Sequence, residues 1–402
     1  MEEDRAQGGR GLWGFPKGGG ARFALGYAAL FLPFAVVTPY LQLLLKSRGF
    51  NKEQIGLIQG TMEVLAVLGA PLWGYLSDRL HRPRTVLLLV AAGAIPSFLL
   101  FGVTDNVVAA VGVAVLFGLF FKPLIPLTDG LTFHYLHARG GDYGPVRVGG
   151  SLAFLVTVGL MELLGVVGPR AAETILVAFA IAAALHVISI LALPCPAAVS
   201  AQASDGKPKP DLRRFLTRAF VLFTLAAFLG RMAMMAYYHF FTLFVQEQLH
   251  FEFPGYLWMI GPLSEIPVIY FSGRIMRRIG IRSLFALGLA GIVVRLLGFA
   301  WATSIWHVVP LQFLHALTFG AYHTASVTYV SGLVPAHMKS SAQTLFSALT
   351  IGLGGICGGV VGGYLAEAYG FTVLYAAFGG IAALALVLLL AFVPRPDRPA
   401  GT

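Results

Sequence analysis

The sequence has few charged residues and almost no cysteine. Of its 402 residues, 11% are charged and 57% are hydrophobic, whereas soluble domains carry about 25% charged residues. This composition excludes a water-soluble multidomain enzyme, and the mean hydropathy of +0.79 indicates that a lipid bilayer is the solvent. The two cysteines, Cys195 and Cys357, exclude a disulfide scaffold and have no metal-type or redox spacing.

Twelve continuous apolar runs are long enough to cross a bilayer as helices, which needs about 20 residues each. The runs lie at 22–45, 55–76, 86–103, 107–133, 147–167, 173–194, 215–246, 255–273, 283–301, 306–334, 341–366 and 371–393. We therefore predict an all-α integral membrane protein with twelve transmembrane helices. The predicted parts are a mobile cytoplasmic tail, a six-helix bundle, a cytoplasmic linker, a second six-helix bundle and a cytoplasmic tail, at 1–21, 22–194, 195–213, 214–393 and 394–402.

The basic residues are distributed unevenly over the two sides of this topology. The side that holds both termini and the linker receives 20 of the 28 Lys and Arg residues. The opposite side receives Lys46, Arg48, Lys52 and Arg170, and four more lie within spans. This is the bias of cytoplasmic loops toward positive charge, so we predict a multi-pass protein of the inner (plasma) membrane with both termini in the cytoplasm. Nucleic acid is excluded as a partner, since a nucleic-acid patch would not alternate with loop number.

Two basic turns have similar sequences and lie 199 residues apart. One begins at Gly74 after the second run and ends at Arg84, and the other begins at Gly273 after the eighth run and ends at Arg282. An offset of an even number of spans predicts two parallel repeats, related by a pseudo-twofold axis along the membrane normal.

The first of these turns resembles the loop signature of the major facilitator superfamily. Gly74, Asp78, Arg79 and Arg84 match the signature, whereas His81 stands where a glycine is usual. Further segments resemble the phenylpropionate permease branch, namely Pro126–Asp129, Asp142–Phe154, Gly255–Trp258 with Glu265, and Leu314–Phe319 with His323. That branch is similar to lactose permease, an oligosaccharide:proton symporter. By resemblance, the turn residues act as a conformational latch, with Asp78 near Ser340 and Ser341.

Eight charged residues lie within the predicted spans: Glu63, Lys122, Asp129, Arg147, Glu162, Arg231, Glu265 and Arg295. At roughly 3 kcal/mol each, eight unpaired charges would cost more than the 5–15 kcal/mol by which ordinary proteins are stable. These residues must therefore pair, face water or, in the case of the acids, take up a proton. Glu162 comes late in its span, and we expect it to reach the outer membrane interface.

Asp129 and Arg147 flank one short connection, so they lie at similar depth on neighbouring helices. They form either a structural pair or a polar clamp for substrate. By resemblance they fall on sugar-contacting positions of lactose permease, and Phe154 falls on a sugar-stacking position. A single aromatic residue in a span is otherwise typical of core packing.

By the same resemblance, Glu265, Arg295 and His315 fall on positions for proton coupling and binding. An apolar environment disfavours the charged form of a carboxylate, so Glu265 can take up and release a proton. His315 and His323 are two turns apart and share a helix face, which predicts either substrate contact or packing. Thr318 replaces a carboxylate of lactose permease and cannot titrate, which makes Glu265 the expected proton carrier and Asp129 the second candidate.

The remaining charges have no counterpart in the resemblance. Glu63 and Lys122 could pair or tune a cavity for a charged substrate, and Arg231 has no assigned role. Tyr237, with Tyr238 and His239, could line a substrate cavity or pack in the core. Two glycine stripes, Gly354/Gly358/Gly362 and Gly355/Gly359/Gly363, predict close helix packing.

Taken together, these features favour a secondary active transporter of a small organic solute, with protons as the coupling ion. The alternatives are a proton-independent facilitator or exchanger, and a transport-inactive sensor or scaffold on the same fold. An enzyme is not expected, since the sequence has no GxSxG, HExxH or P-loop motif. We expect no cofactor and no metal, a monomer in the bilayer, and a sugar, a nucleoside or an aromatic carboxylate as substrate.

Overall fold

The computed structural model describes residues 20–139, 143–165, 171–193, 217–335 and 338–394. Within these ranges every regular element is helical. The predicted linker and nearly all of both predicted tails lie outside the described residues, so those predictions stay untested.

Among the described residues, seven α-helices belong to the first half of the sequence. They are α1 (Gly20–Ser47), α2 (Lys52–Leu80), α3 (Pro83–Leu99), α4 (Val107–Phe121), α5 (Leu124–Arg139), α6 (Tyr143–Leu163) and α7 (Ala171–Ala192). Polar residues mark helix starts where the chain turns, as at Asn106, whose side chain accepts a hydrogen bond of 2.8 Å from the amide of Val108 at the start of α4.

The described part of the second half contains seven more α-helices and two π-helical segments. The α-helices are α8 (Arg218–Glu247), α9 (Pro254–Ile279), α10 (Ile281–Ala300), α11 (Ile305–Phe313), α12 (Tyr322–Gly332), α13 (Lys339–Ser347) and α14 (Gly354–Phe392). The first π segment, Ala316–Ala321, precedes α12, and the second, Ala348–Leu353, joins α13 to α14.

Nine helical stretches within the described residues are long and apolar enough to cross a membrane. The last of them, Ser341–Phe392, is 52 residues long and covers two predicted spans. It bends at Gly370, whose φ of 81° is a conformation that favours glycine. The predicted spans at 255–273 and 306–334 are also helical, the second being interrupted by the first π segment. The helices are therefore consistent with the predicted twelve spans.

By its internal contacts the chain divides into two compact units. The first unit is Met1–Gly49 with Leu68–Lys207, and the second is Phe50–Val67 with Pro208–Thr402. The boundary falls inside α2, so the two parts of this helix belong to different units. The predicted division into two six-helix bundles at the 195–213 linker stays a prediction.

Aromatic rings form the core of the first unit. Phe98 of α3 stacks on Phe179 of α7 with ring centroids 3.9 Å apart, and both pack against Phe117 of α4. All three rings are fully buried. Because each comes from a different helix, this cluster holds α3, α4 and α7 together.

In the second unit, the glycine stripes of α14 admit two different helices. A Cβ atom at Gly358 would lie 2.6 Å from the Met232 carbonyl oxygen of α8. On the other stripe, a Cβ atom at Gly359 would lie 2.4 Å from the Gly56 carbonyl oxygen of α2. The predicted close packing is confirmed, and it explains why residues 50–67 of α2 belong to the second unit.

The arginines at the ends of the two similar basic turns have equivalent contacts. Arg84, at the start of α3, donates hydrogen bonds to the carbonyl oxygens of Ile190 and Leu191 at the end of α7. Arg282, at the start of α10, donates to two carbonyl oxygens at the end of α14, at 3.1 and 2.7 Å. In both units a cation therefore satisfies the last carbonyl groups of a helix, where the helix dipole favours positive charge.

Candidate functional site

Three charged or titratable side chains meet in the second unit. His315 Nε2 lies 3.7 Å from Glu265 Oε2, and His315 Nδ1 lies 3.1 Å from Arg295 Nη1. Glu265 comes from α9, Arg295 from α10, and His315 from the end of α11, just before the first π segment. The three residues predicted together from the resemblance are thus neighbours in space.

Arg295 is 2% exposed and is surrounded mainly by neutral groups. Its Nη1 donates to Thr318 Oγ1 at 3.1 Å, and its Nη2 donates to the side-chain oxygen of Gln312. Its guanidinium carbon lies 3.8 Å from the centre of the Tyr237 ring, a favourable cation–π contact. Thr318 therefore serves Arg295 as a hydrogen-bond acceptor.

The Arg295–His315 hydrogen bond can have only one direction, with Arg295 as the donor. A guanidinium can only donate, so Nδ1 of His315 must accept and the ring proton of neutral His315 is on Nε2. That proton faces Glu265 Oε2. A chain of groups thus leads from a permanent cation through an imidazole to a carboxylate, and Glu265 is the member that can change charge without breaking the Arg295–His315 bond.

In the first unit, each of the two predicted clamp residues contacts an aromatic residue of α1. Asp129 of α5 accepts a hydrogen bond from the Tyr27 hydroxyl. The guanidinium carbon of Arg147 on α6 lies 4.1 Å from the centre of the Phe31 ring. Tyr27 and Phe31 are one turn apart on α1 and share a face. Nη1 of Arg147 is buried and has no hydrogen-bond partner among the described residues, so it can donate to a bound solute.

Other predicted residues of the first unit have different environments. Phe154, predicted to stack on a sugar, is 7% exposed and therefore buried. Gly74 lies inside α2, and Asp78 and Arg79 are exposed in its last turn. The conformational latch stays a prediction.

The expectation that Glu162 reaches the outer interface is wrong. Its residue exposure is 2%, and its Oε1 accepts a hydrogen bond of 2.6 Å from the Tyr40 hydroxyl of α1. A position late in a span does not show whether a neighbouring helix covers it, and here α1 does.

A contact of Glu63 was not foreseen. Its Oε1 lies 4.0 Å from His239 Nε2 of α8, and the His239 carbonyl oxygen accepts a hydrogen bond of 3.2 Å from the Gln59 side chain. A glycine is required at position 355 beside Glu63, since a Cβ atom on residue 355 would lie 2.4 Å from the Glu63 Cβ. These residues are far apart in sequence, and helix periodicity alone indicates a face and not a partner.

Polar and aromatic residues also line a cavity within the second unit. Arg231 of α8 and His323 of α12 both line it, and the sequence had grouped neither with the other. The Phe319 ring lies between His315 and His323, with ring centroids 5.7 Å apart and planes 4° apart on both sides. Among the described residues, no group of three His, Cys, Asp or Glu side chains could hold a metal ion.

Long apolar helices that carry buried charged networks are typical of membrane transport proteins. The family model described as the MFS_1 like family matches residues 23–377. The chain therefore belongs to that family, whose members are transporters and not enzymes. The predicted family and fold class are confirmed.

Curated relatives and a solved structure agree with this assignment. The chain is 27% identical over 385 residues to the maltose permease of Geobacillus stearothermophilus, covering 94% of this chain and 95% of the relative. It is also 27% identical over 377 residues to a probable 3-phenylpropionic acid transporter of Escherichia coli (strain K12), covering 93% and 96%. A crystal structure of a variant of the nucleoside transporter NupG matches with a TM-score of 0.84 at 18% identity, covering 93% of this chain and 100% of that one.

Proposed function

We propose that the protein is a secondary active transporter that moves a small organic solute together with protons by alternating access. We place it in the inner (plasma) membrane as a monomer, with both termini in the cytoplasm. The uneven distribution of basic residues supports that orientation. The solute class is an aromatic carboxylate or a sugar-like molecule, which the printed names of the relatives support.

The observation that carries the proposal is the chain from Arg295 through His315 to Glu265. When Glu265 is ionised, its negative charge balances the permanent charge of Arg295. When Glu265 takes up a proton, one buried positive charge is left uncompensated, which is costly in an apolar interior. The two protonation states therefore favour different environments, and a solute that binds one state better shifts the equilibrium between them.

Solute binding is assigned separately in each unit. In the first unit, Asp129 and Arg147 supply an acceptor and a donor, and Phe154 supplies an apolar ring. In the second unit, Tyr237, His315 and His323 are the binding residues, since Tyr237 and His315 surround Arg295 and His323 lines the nearby cavity.

Uptake into proteoliposomes tests the proposal. Purified protein is reconstituted, an inward proton gradient is imposed, and the uptake of labelled 3-phenylpropionate, maltose and uridine is followed. We expect one of these solutes to accumulate above its external concentration, and a protonophore to abolish that accumulation. Equilibration that ignores the gradient would identify a facilitator or exchanger, and binding without any movement would identify a sensor.

A further inference from the structure

A further feature is an open cavity within the second unit, which has a volume of about 50 Å³. Its walls come from α8, α12, α13 and both of the described π-helical segments, and segments of π-helix occur frequently at functional sites. A single water needs about 10–15 Å³ of such volume. The cavity therefore has room for a small polar group such as a carboxylate, and the body of a larger ligand would extend through its open mouth.

The charge of the cavity has one sign. Arg231 and His323 line it, and none of the described lining residues is a carboxylate. The Arg231 guanidinium carbon lies 5.6 Å from the centre of the Tyr238 ring, and its buried Nε has no hydrogen-bond partner among the described residues. A cation held within the membrane region without an anion is costly. A bound anion would compensate the charge of Arg231.

Several polar groups around the cavity are already committed as donors. Tyr322 donates to the Ala227 carbonyl oxygen, and Thr350 donates to the Phe346 carbonyl oxygen at 2.8 Å. The side-chain amide of Gln343 donates to the Val327 carbonyl oxygen, also at 2.8 Å. Arg231 is the permanently charged donor of the wall, and a guanidinium binds a carboxylate through two parallel hydrogen bonds.

Apolar groups form another part of the wall. Phe319, Phe346 and Ile351 line the cavity, and they offer a surface for the hydrocarbon or aromatic body of a ligand. The Phe319 ring also stacks on both His315 and His323. Phe319 therefore lies between the histidine that contacts Glu265 and the histidine that lines the cavity.

We propose that this cavity binds an organic carboxylate, with Arg231 pairing the carboxylate group and Phe319 and Phe346 packing against the body of the ligand. The proposal deepens the proposed function, because it makes the transported solute an organic anion and assigns its charged end to Arg231. A proton taken up at Glu265 would then accompany a negatively charged solute.

Thermal unfolding of the purified protein in detergent tests this site. The probes are 3-phenylpropionate, its neutral analogue 3-phenylpropanamide, and acetate, which has the charge but not the body. We expect 3-phenylpropionate to raise the Tm with increasing concentration and the amide to have no effect. Acetate should bind at least about tenfold more weakly than 3-phenylpropionate, since it lacks the apolar contacts. This comparison of probes uses the wild-type protein alone.

Variants of Arg231 then test whether this residue pairs the carboxylate of the ligand. Arg231→Gln should weaken 3-phenylpropionate binding at least about tenfold, because a charged hydrogen-bond donor is lost. Arg231→Lys should be intermediate, since it keeps the charge and loses the planar fork. The matched control is Arg277→Gln, at an exposed position on α9, which should leave the affinity unchanged. If Arg231→Gln does not fold, the site is still tested by the affinity of Arg231→Lys and by the comparison of 3-phenylpropionate with its amide on the wild type.

Three results would overturn the site: no carboxylate shift in the wild type, an equal shift by the amide, or unchanged affinity in both Arg231 variants. Equal binding of acetate and 3-phenylpropionate would also overturn it, since that would indicate a general anion site. Proton-driven accumulation of maltose or uridine without carboxylate binding would reject this site and leave the proposed transport intact. Arg231-dependent binding without proton-driven accumulation would support this site and reject the proposed transport.

Discussion

The two charged sites are built in different ways. In the second unit, Glu265, His315 and Arg295 contact one another in a chain. In the first unit, Asp129 and Arg147 each contact an aromatic residue of α1. A chain of titratable and charged groups can store a proton, whereas side chains held by aromatic rings keep hydrogen-bonding capacity for a ligand. This difference supports the proposal that proton coupling belongs to the Glu265 site, and that Asp129 and Arg147 contact the solute together with the second-unit residues named above.

Arg147→Ala should have the largest effect on binding if the first-unit site contacts the solute. We expect affinity to fall about 100-fold or more, because truncating one member of a buried charged set costs about 2–5 kcal/mol. Binding can be measured by isothermal calorimetry on purified protein. The matched control is Arg274→Ala, an exposed arginine that contacts the Phe271 ring. Unchanged affinity in Arg147→Ala would make the site structural and break the comparison.

His315→Gln should separate coupling from binding in the second unit. Glutamine can accept from Arg295 but cannot relay a proton to Glu265, so proton-driven accumulation should fall at least about tenfold. Because His315 is also assigned to solute binding, affinity is measured alongside and should fall less than accumulation. Equal losses of affinity and accumulation would show that His315 only binds solute.

Tyr27→Phe should have a smaller effect, on solute affinity. It removes the hydrogen bond to Asp129, and a bond to a charged group contributes about 1.5–3 kcal/mol. Part of that loss is replaced by water, so we expect affinity to fall about fivefold to tenfold. The matched variant is Tyr40→Phe, which removes the bond to Glu162. Tyr40→Phe should lower the Tm and leave affinity unchanged, and the opposite pattern would reverse the roles of the two tyrosines.

Thr318→Ala should have the smallest effect. Arg295 keeps its bonds to Gln312 and His315, so losing one neutral hydroxyl should cost about 1 kcal/mol of stability. Proton coupling should persist, because Thr318 cannot titrate. Measured accumulation in proteoliposomes checks this, and a loss as large as that of His315→Gln would show that Thr318 belongs to the coupling chain.

The sequence indicates helices and buried charges well, but partners poorly. Apolar length predicted the helices because a bilayer requires long apolar runs, and spacing four predicted the glycine stripes because it follows the helix turn. The contacts of Glu63 with His239 and of Asp129 with Tyr27 join distant segments, so no local pattern contains them. Glu265, Arg295 and His315 were grouped through a family resemblance and not through their spacing.

The irregular helical segments were also not predicted. The π-helical segments at Ala316–Ala321 and Ala348–Leu353 lie within apolar runs whose composition resembles that of an ordinary helix. The cavity near Arg231 depends on them, since Phe319 and Ile351 belong to the two π segments. Arg231 could therefore be recognised as an intramembrane charge from the sequence, but its surroundings could not.

Comparing two assays of Glu265→Gln tests the central claim most directly. Glutamine has nearly the same shape as a protonated glutamate, so solute exchange across the proteoliposome membrane should persist while accumulation driven by an imposed pH gradient disappears. Glu252→Gln, at an exposed position, should behave like the wild type in both assays. Accumulation by Glu265→Gln under the pH gradient at the wild-type level would contradict the account and place the proton carrier elsewhere.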